Sequence, residues 1–178
     1  MSQEYLWDLP TAVSMGTTKH GCVVTVDCRS LREQSDLSGN FGRTDVPSIL
    51  VVDDDQAAAD SFTAILRHFG YDVMSAASGS AALELLSGGL PDLVILDVMM
   101  PDMNGLELLR CIRSNFSIAD LPVVMYSALD NEQWRAQARD AGANDYWIKG
   151  GFDCGELEEK VRSCLPIHFP ALGAAIHE

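Results

Sequence analysis

From Ser48 onward, five short β-rich runs alternate with five stretches of helical periodicity, and that rhythm leaves few folds open. "SILVVD" (48–53) precedes Phe62, Ile65, Leu66 and Phe69, which share one helical face, and Gly70 stands where that helix should end. "YDVMSA" (71–76) is followed by "SAALELL" (80–86), a short helix closed by Gly88-Gly89. "DLVILD" (92–97) leads into a helix from about Leu106 to Asn115. "LPVVMYS" (121–127) leads into one that starts near Asp130, with Gln133 as the far side of a capping box, and ends before Gly142. "NDYWI" (144–148) is the fifth strand. Leu157, Val161, Cys164 and Leu165 then line a last helix that Pro166 stops. Strands joined by helices run parallel, so the sequence predicts an α/β, doubly wound five-stranded parallel sheet with helices on both faces.

The rhythm confines that domain to 47–165. Residues 1–46 read as an N-terminal extension and linker of unknown role: "CVVTVD" (22–27) is an isolated strand candidate, and the polar stretch 32–45 is the linker. Residues 166–178 form a C-terminal tail too short for a domain. No output domain such as a helix-turn-helix fits there, so the sequence predicts a stand-alone protein that works through partners.

Charge and cysteine content narrow the classes further. The 178 residues carry 26 Asp+Glu against 12 Lys+Arg, a net charge of −14, which disfavours direct nucleic-acid binding and anionic membranes. The 5 cysteines are odd in number and include no C-x-x-C, which suggests reduced thiols rather than a disulfide framework or zinc site. No stretch reaches the ~18 consecutive apolar residues of a membrane span, and no secretory signal is evident. A cytoplasmic protein without membrane insertion is expected.

Ligands of such a sheet bind beyond the carboxyl ends of its strands, where the strand order reverses. The strand ends here carry Asp53, Asp54 and Asp55 after the first strand, Asp97 after the third, Ser127 after the fourth and Lys149 after the fifth. Taken singly, each has a duller explanation: a turn or N-cap aspartate, a cap serine, a surface lysine. Together they are chemically matched. Clustered carboxylates repel by about 4 kcal/mol per pair at 4 Å and an effective dielectric near 20. A hard cation such as Mg²⁺ relieves that repulsion. Carboxylates, a divalent metal, a lysine and a hydroxyl describe a phosphoryl-transfer site, in which an aspartate can itself be the nucleophile.

"ILVVDDD" (49–55), "VILDVMMPDMNGLELL" (94–109), "PVVMYSA" (122–128) and "DYWIKG" (145–150) resemble, in order and spacing, the motifs of the response-regulator receiver domain (CheY-like) of two-component signalling. The resemblance covers roughly residues 46–165. It implies a (βα)5 flavodoxin-like fold with strand order 2-1-3-4-5. It also implies a signalling phosphoacceptor, rather than an enzyme acting on a diffusible substrate, that takes a phosphoryl group on Asp97 from a sensor histidine kinase or phosphotransfer protein and signals by protein–protein contact. Carried over residue by residue, Asp54, Asp97 and the backbone carbonyl of Met99 would ligate Mg²⁺, with Asp53 acting through a water. Lys149 would hold the phosphoryl oxygens, Ser127 would bond the phosphate, and Tyr146 would be the aromatic switch. Ala128 matches the small residue that keeps the phosphate reachable, and Asp55 has no direct metal contact. Pro101 and Asn104-Gly105 shape the loop after Asp97.

Two departures stand out. The switch hydroxyl is serine rather than the commoner threonine. The proline that usually follows the lysine, typically through a cis bond, is replaced by Gly150-Gly151, for which a trans bond and a mobile loop are expected. Other readings are a pseudo-receiver, a binding module not regulated by phosphorylation, and a phosphatase of the haloacid-dehalogenase type. The latter needs an acid where this chain has Met99. A P-loop NTPase is excluded, because no G-x-x-x-x-G-K-[ST] occurs.

Overall fold

A computed structural model describes residues 46–166 in full and the backbone of 13–18 and 21–26. Strands β1 (Val13–Thr18) and β2 (Gly21–Val26) pair antiparallel. The isolated strand expected at 22–27 is therefore half of a hairpin. The linker expected at 32–45 and the tail beyond Pro166 lie outside the described residues.

The rest alternates strand and helix: β3 (Ser48–Val52), α1 (Gln56–His68), β4 (Asp72–Ala76), α2 (Gly79–Gly88), β5 (Leu93–Leu96), α3 (Gly105–Ser114), β6 (Val123–Ser127), α4 (Glu132–Asp140), β7 (Asp145–Ile148) and α5 (Cys154–Cys164). The five strands form one parallel sheet in the order β4-β3-β5-β6-β7, which is 2-1-3-4-5 when they are counted by themselves. From β3 the chain steps outward to β4, then crosses back to β5. The reversal therefore lies between β3 and β5, and the ends of these two strands open a crevice.

Side-chain alternation divides the core between the two faces of the sheet. Leu50, Val94, Leu96 and Met125 join one cluster with Leu86 of α2, Leu109 of α3 and Ala138 of α4. Ile49, Val51, Ile95 and Trp147 join the other with Leu66 of α1 and Val161 of α5. All four residues of β5 are buried, the pattern of a strand covered on both sides.

Helix ends follow capping chemistry, with one correction. Helix α4 is capped by Asn131, whose side chain accepts the Trp134 N–H at 3.0 Å; Asp130 does not cap it, and no Asp130–Gln133 box forms. The Asp130 carboxylate pairs instead with Arg135 at 2.8 Å. Gly70 follows the C-cap of α1 with φ 90°, the left-handed conformation expected of a C′ glycine. Among the described residues no helix is long and apolar enough to cross a membrane.

Candidate functional site

Each strand that borders the crevice ends in a polar residue, and the sheet brings them together. Asp53 follows β3, where its N–H still donates to Ala76 O at 3.1 Å, and Asp97 follows β5, where its N–H donates to Val52 O at 2.8 Å. These extra ladder bonds carry the sheet one residue beyond its strands and fix both aspartate backbones. Carboxylate oxygens of Asp53, Asp54 and Asp97 lie within 4.8 Å of one another; Asp53 and Asp97 are buried, while Asp54 is exposed at the rim. Three hard oxygen donors gathered this closely, one open to solvent, form a donor set suited to a small divalent cation.

Lys149 reaches this cluster from the end of β7. Its Nζ donates to Asp53 Oδ2 at 2.6 Å and lies 3.5 Å from Asp97 Oδ1. Burial acts against the Lys149 charge, but the hydrogen bond to Asp53 and the charges of both aspartates outweigh it, so its pKa is raised. Burial pushes the Asp97 carboxyl up as well. Lys149 opposes that shift, Asp53 adds to it, and the Val98 and Met99 N–H groups oppose it. Asp97 is thus a desolvated carboxylate facing one cation, the condition of a reactive group rather than of a surface turn.

Ser127 closes the fourth strand. It is buried, and its Oγ accepts the Leu129 N–H at 3.2 Å. Lys149 N–H donates to Ser127 O at 2.9 Å, which ties the hydroxyl-bearing residue to the lysine-bearing one. Tyr146 is also buried, with its phenol donating to Leu129 O at 2.7 Å and the Arg135 guanidinium 5.3 Å above its ring. Burial raises the phenol's pKa, and the neighbouring Ser127 hydroxyl acts against that. The aromatic switch candidate therefore occupies an inward position. Ala128 is exposed beside the crevice. Asp55 turns away to cap α1, its Oδ1 accepting from Ala57 and Ala58 at 3.0 and 3.1 Å.

The loop after Asp97 is built for close approach. Asn104 and Glu107 form a reciprocal capping box that starts α3. A Cβ on Gly105 would lie 2.0 Å from the Asp97 carbonyl oxygen, so only glycine lets the helix start there. The Asn-Gly pair, which reads from sequence as a turn, is thus a cap followed by a contact. The exposed Met99 lies in this loop between Asp97 and Pro101. Across the crevice the Lys149–Gly150 bond is trans and Gly150 has φ 74°.

Sequence reasoning missed one neighbour of the site. Tyr126, one residue before Ser127, stacks on Phe62 of α1 with ring centroids 4.5 Å apart, and its face lies 5.7 Å from Lys149 Nζ. Its position beside Ser127, the candidate switch hydroxyl, was the available signal.

The comparisons agree with this fold. The family model of the response regulator receiver domain matches residues 49–162, so the chain belongs to the receiver domains of response regulators, which are signalling phosphoacceptors. Response regulator MprA of Mycolicibacterium vanbaalenii is 43% identical over 126 residues, 71% of this chain and 53% of that protein. The DNA-binding dual master transcriptional regulator RpaA of Synechocystis sp. is 38% identical over 120 residues, 67% of this chain and 49% of that protein. The chain thus spans about half the length of the curated relatives it matches. Among solved structures, chemotaxis protein CheY4 of Vibrio cholerae superposes with a TM-score of 0.63 at 26% identity, covering 67% of this chain and 99% of that one. A CheY-like receiver domain protein from Methanospirillum hungatei gives 0.61 at 30% identity, covering 66% and 92%.

Proposed function

We propose that residues 47–165 form a receiver domain that accepts a phosphoryl group on Asp97 from a sensor histidine kinase or phosphotransfer protein, and that signals by protein–protein contact. The observation that carries this reading is the meeting of three carboxylates from two adjacent strands with one ammonium from a third strand end. In the transfer, an Asp97 oxygen forms the new bond to phosphorus as the bond to the donor's nitrogen, or to an acyl oxygen, breaks. The Val98 and Met99 N–H groups favour the ionised form of the Asp97 carboxyl. Lys149 stands where it can meet the phosphoryl oxygens, and Ser127 offers a hydroxyl at the crevice wall.

The donor chemistry fits Mg²⁺, which Asp54, Asp97 and the Met99 carbonyl would hold, with Asp53 acting through a water. When bound, the cation offsets the repulsion among carboxylates and the charge of the incoming phosphoryl group. Burial of Tyr146 against α4 supports a coupling of the phosphorylated site to the surface formed by α4, β7 and α5.

Incubation with acetyl phosphate and Mg²⁺ tests the assignment. Intact-mass measurement should show one added phosphoryl group on the parent and none on Asp97→Asn or in the presence of a chelator. Equal labelling of Asp97→Asn would remove Asp97 from the role, and no labelling of the parent would leave a binding module not regulated by phosphorylation.

A further inference from the structure

Beside the lysine lies an aromatic arrangement with no part in that chemistry. The chain after Lys149 packs little at its first position: Gly150 is exposed and a Cβ there would have no neighbour within 4 Å. The Gly150 N–H bonds the Tyr126 phenol, and only at Gly151 does the chain close on Ile148, through an N–H to Ile148 O at 3.0 Å. The lysine backbone is fixed at Ser127 O, but four methylenes still separate that anchor from the ammonium. Asp53 holds the ammonium in the absence of phosphate. Once a phosphoryl oxygen competes for the same protons, that restraint weakens when orientation matters most.

Tyr126 supplies a restraint that carries no charge. Its ring face lies 5.7 Å from Lys149 Nζ, within reach of a cation–π attraction. The ring is itself fixed. It stacks on Phe62 of α1 at 4.5 Å with the planes 22° apart, and it lies 6.1 Å from Phe152, which meets Trp147 edge-on at 6.0 Å. Three elements thus hold one aromatic wall against the lysine's flank, and an attraction to a neutral ring persists when the ammonium changes its anionic partner.

We propose that Tyr126 is a positioning residue for Lys149: its ring holds the ammonium over Asp53 and Asp97 in place of a stiff loop. This rests on the assignment of Asp97 as acceptor and extends it to a residue that touches neither metal nor phosphate. Desolvated cation–π contacts are worth about a factor of ten. Tyr126→Leu should therefore slow acetyl phosphate labelling roughly five- to tenfold, while Tyr126→Phe, which keeps the ring, should stay within about twofold of the parent.

The test is a double-mutant cycle. In a Lys149→Ala background, already slow, Tyr126→Leu should cause no further loss. Equal slowing in both backgrounds, or no slowing in either, would overturn the proposal in favour of plain packing. A second measurement needs neither variant nor phosphotransfer. In the NMR spectrum of the parent, the Lys149 ε-methylene should be shifted upfield by the ring, and Tyr126→Phe should preserve the shift. An unshifted Lys149 ε-methylene would refute the contact even if labelling slows. Should the parent itself fail to label, the acceptor assignment falls, and the methylene shift alone decides whether the ring holds the lysine.

Discussion

The loop after β5, which carries Asp97, and the loop after β7, which carries Lys149, face each other across one crevice and are built on opposite plans. Both end in a reciprocal capping box, Asn104 with Glu107 and Asp153 with Glu156. Both contain glycine for different reasons. Gly105 is pressed against backbone, where a Cβ would stand 2.0 Å from Asp97 O. At Gly150 a Cβ would have no neighbour within 4 Å, and glycine is needed there for its φ of 74°. The Asp97 loop is thus closed tightly at its glycine, whereas the Lys149 loop leaves its first glycine unpacked at the α-carbon and is held further on, by the Gly151 turn bond and the ring of Phe152. Under the proposed function Asp97 would meet a reacting atom at one place, while Lys149 would exchange one anionic partner for another, and an open position at Gly150 suits that exchange.

The largest effect should come from the crowded side. In Gly105→Ala the new methyl meets the Asp97 carbonyl and the end of Met125, and a backbone oxygen cannot yield as a flexible side chain can. Overpacking of this kind costs about 3 kcal/mol, at the upper end of its usual range. Urea denaturation should show that loss together with slowed labelling of Asp97. A variant as stable as the parent would mean that the helix start can slide, and the contrast between the loops would fail.

The open side should lose less. Gly150→Ala should cost about 1 kcal/mol, the penalty of a left-handed conformation without a clash, and Gly150→Asn less still. Gly150→Pro should exceed both, because proline fixes φ near −65°. Restoring the residue the family usually has should thus harm this chain. Thermal melts of the three variants give the order directly. Proline as the mildest change would show that the loop readily takes another path.

These two glycines mark how far the sequence could be read. The alternation of apolar runs and helical faces identified all five parallel strands: β3, β5 and β6 are nearly all apolar because both their faces are covered, while the edge strands β4 and β7 keep apolar residues only where they meet the core. The strand-end residues were legible for the same reason, since Asp97 interrupts a run that has no other place for a charge. Contacts across the fold were not legible. Nothing near Gly105 in the sequence states that Asp97 O lies over it. Asp130 and Asn131 are both good caps, and the choice fell to Asn131 because Arg135 claims the neighbouring carboxylate. Tyr126 reads as an ordinary strand residue until Lys149 is folded beside it.

The two capping boxes serve as an internal control, because here the loops match. Asn104 Oδ1 accepts the Glu107 N–H at 3.0 Å, and Asp153 Oδ1 accepts the Glu156 N–H at 2.9 Å. Asn104→Ala and Asp153→Ala should each cost about 1 kcal/mol. Chemical denaturation of the pair should give losses equal within error. A much larger loss at Asn104 would show that the cap and the Gly105 contact act as one unit, which would sharpen the difference between the loops.

The smallest effect is expected at Asp97 itself, and its sign is the informative part. In the folded protein the Asp97 carboxyl has a raised pKa, chiefly through burial, with Lys149 opposing, Asp53 reinforcing and two backbone N–H groups opposing. A raised carboxyl pKa means that the folded state binds the proton more tightly than the unfolded chain does, so ionisation weakens the fold. That cost is absent at pH values below the ordinary carboxylate pKa of about 3.9. It grows as the pH rises through that value to the folded pKa, and is constant above. The amide introduced by Asp97→Asn carries no charge, so in metal-free buffer this variant should melt above the parent at pH 7. The gap should close as the pH falls toward 3, and because Lys149 and the N–H groups offset part of the burial, the gain should be smaller than either cap loss. Melting curves of the two proteins across that range in the presence of a chelator isolate this group, since every other carboxylate is shared. If Asp97→Asn melted below the parent at neutral pH, the ion pair with Lys149 would be holding the Asp97 loop in place, and contact alone would no longer explain how that loop is kept.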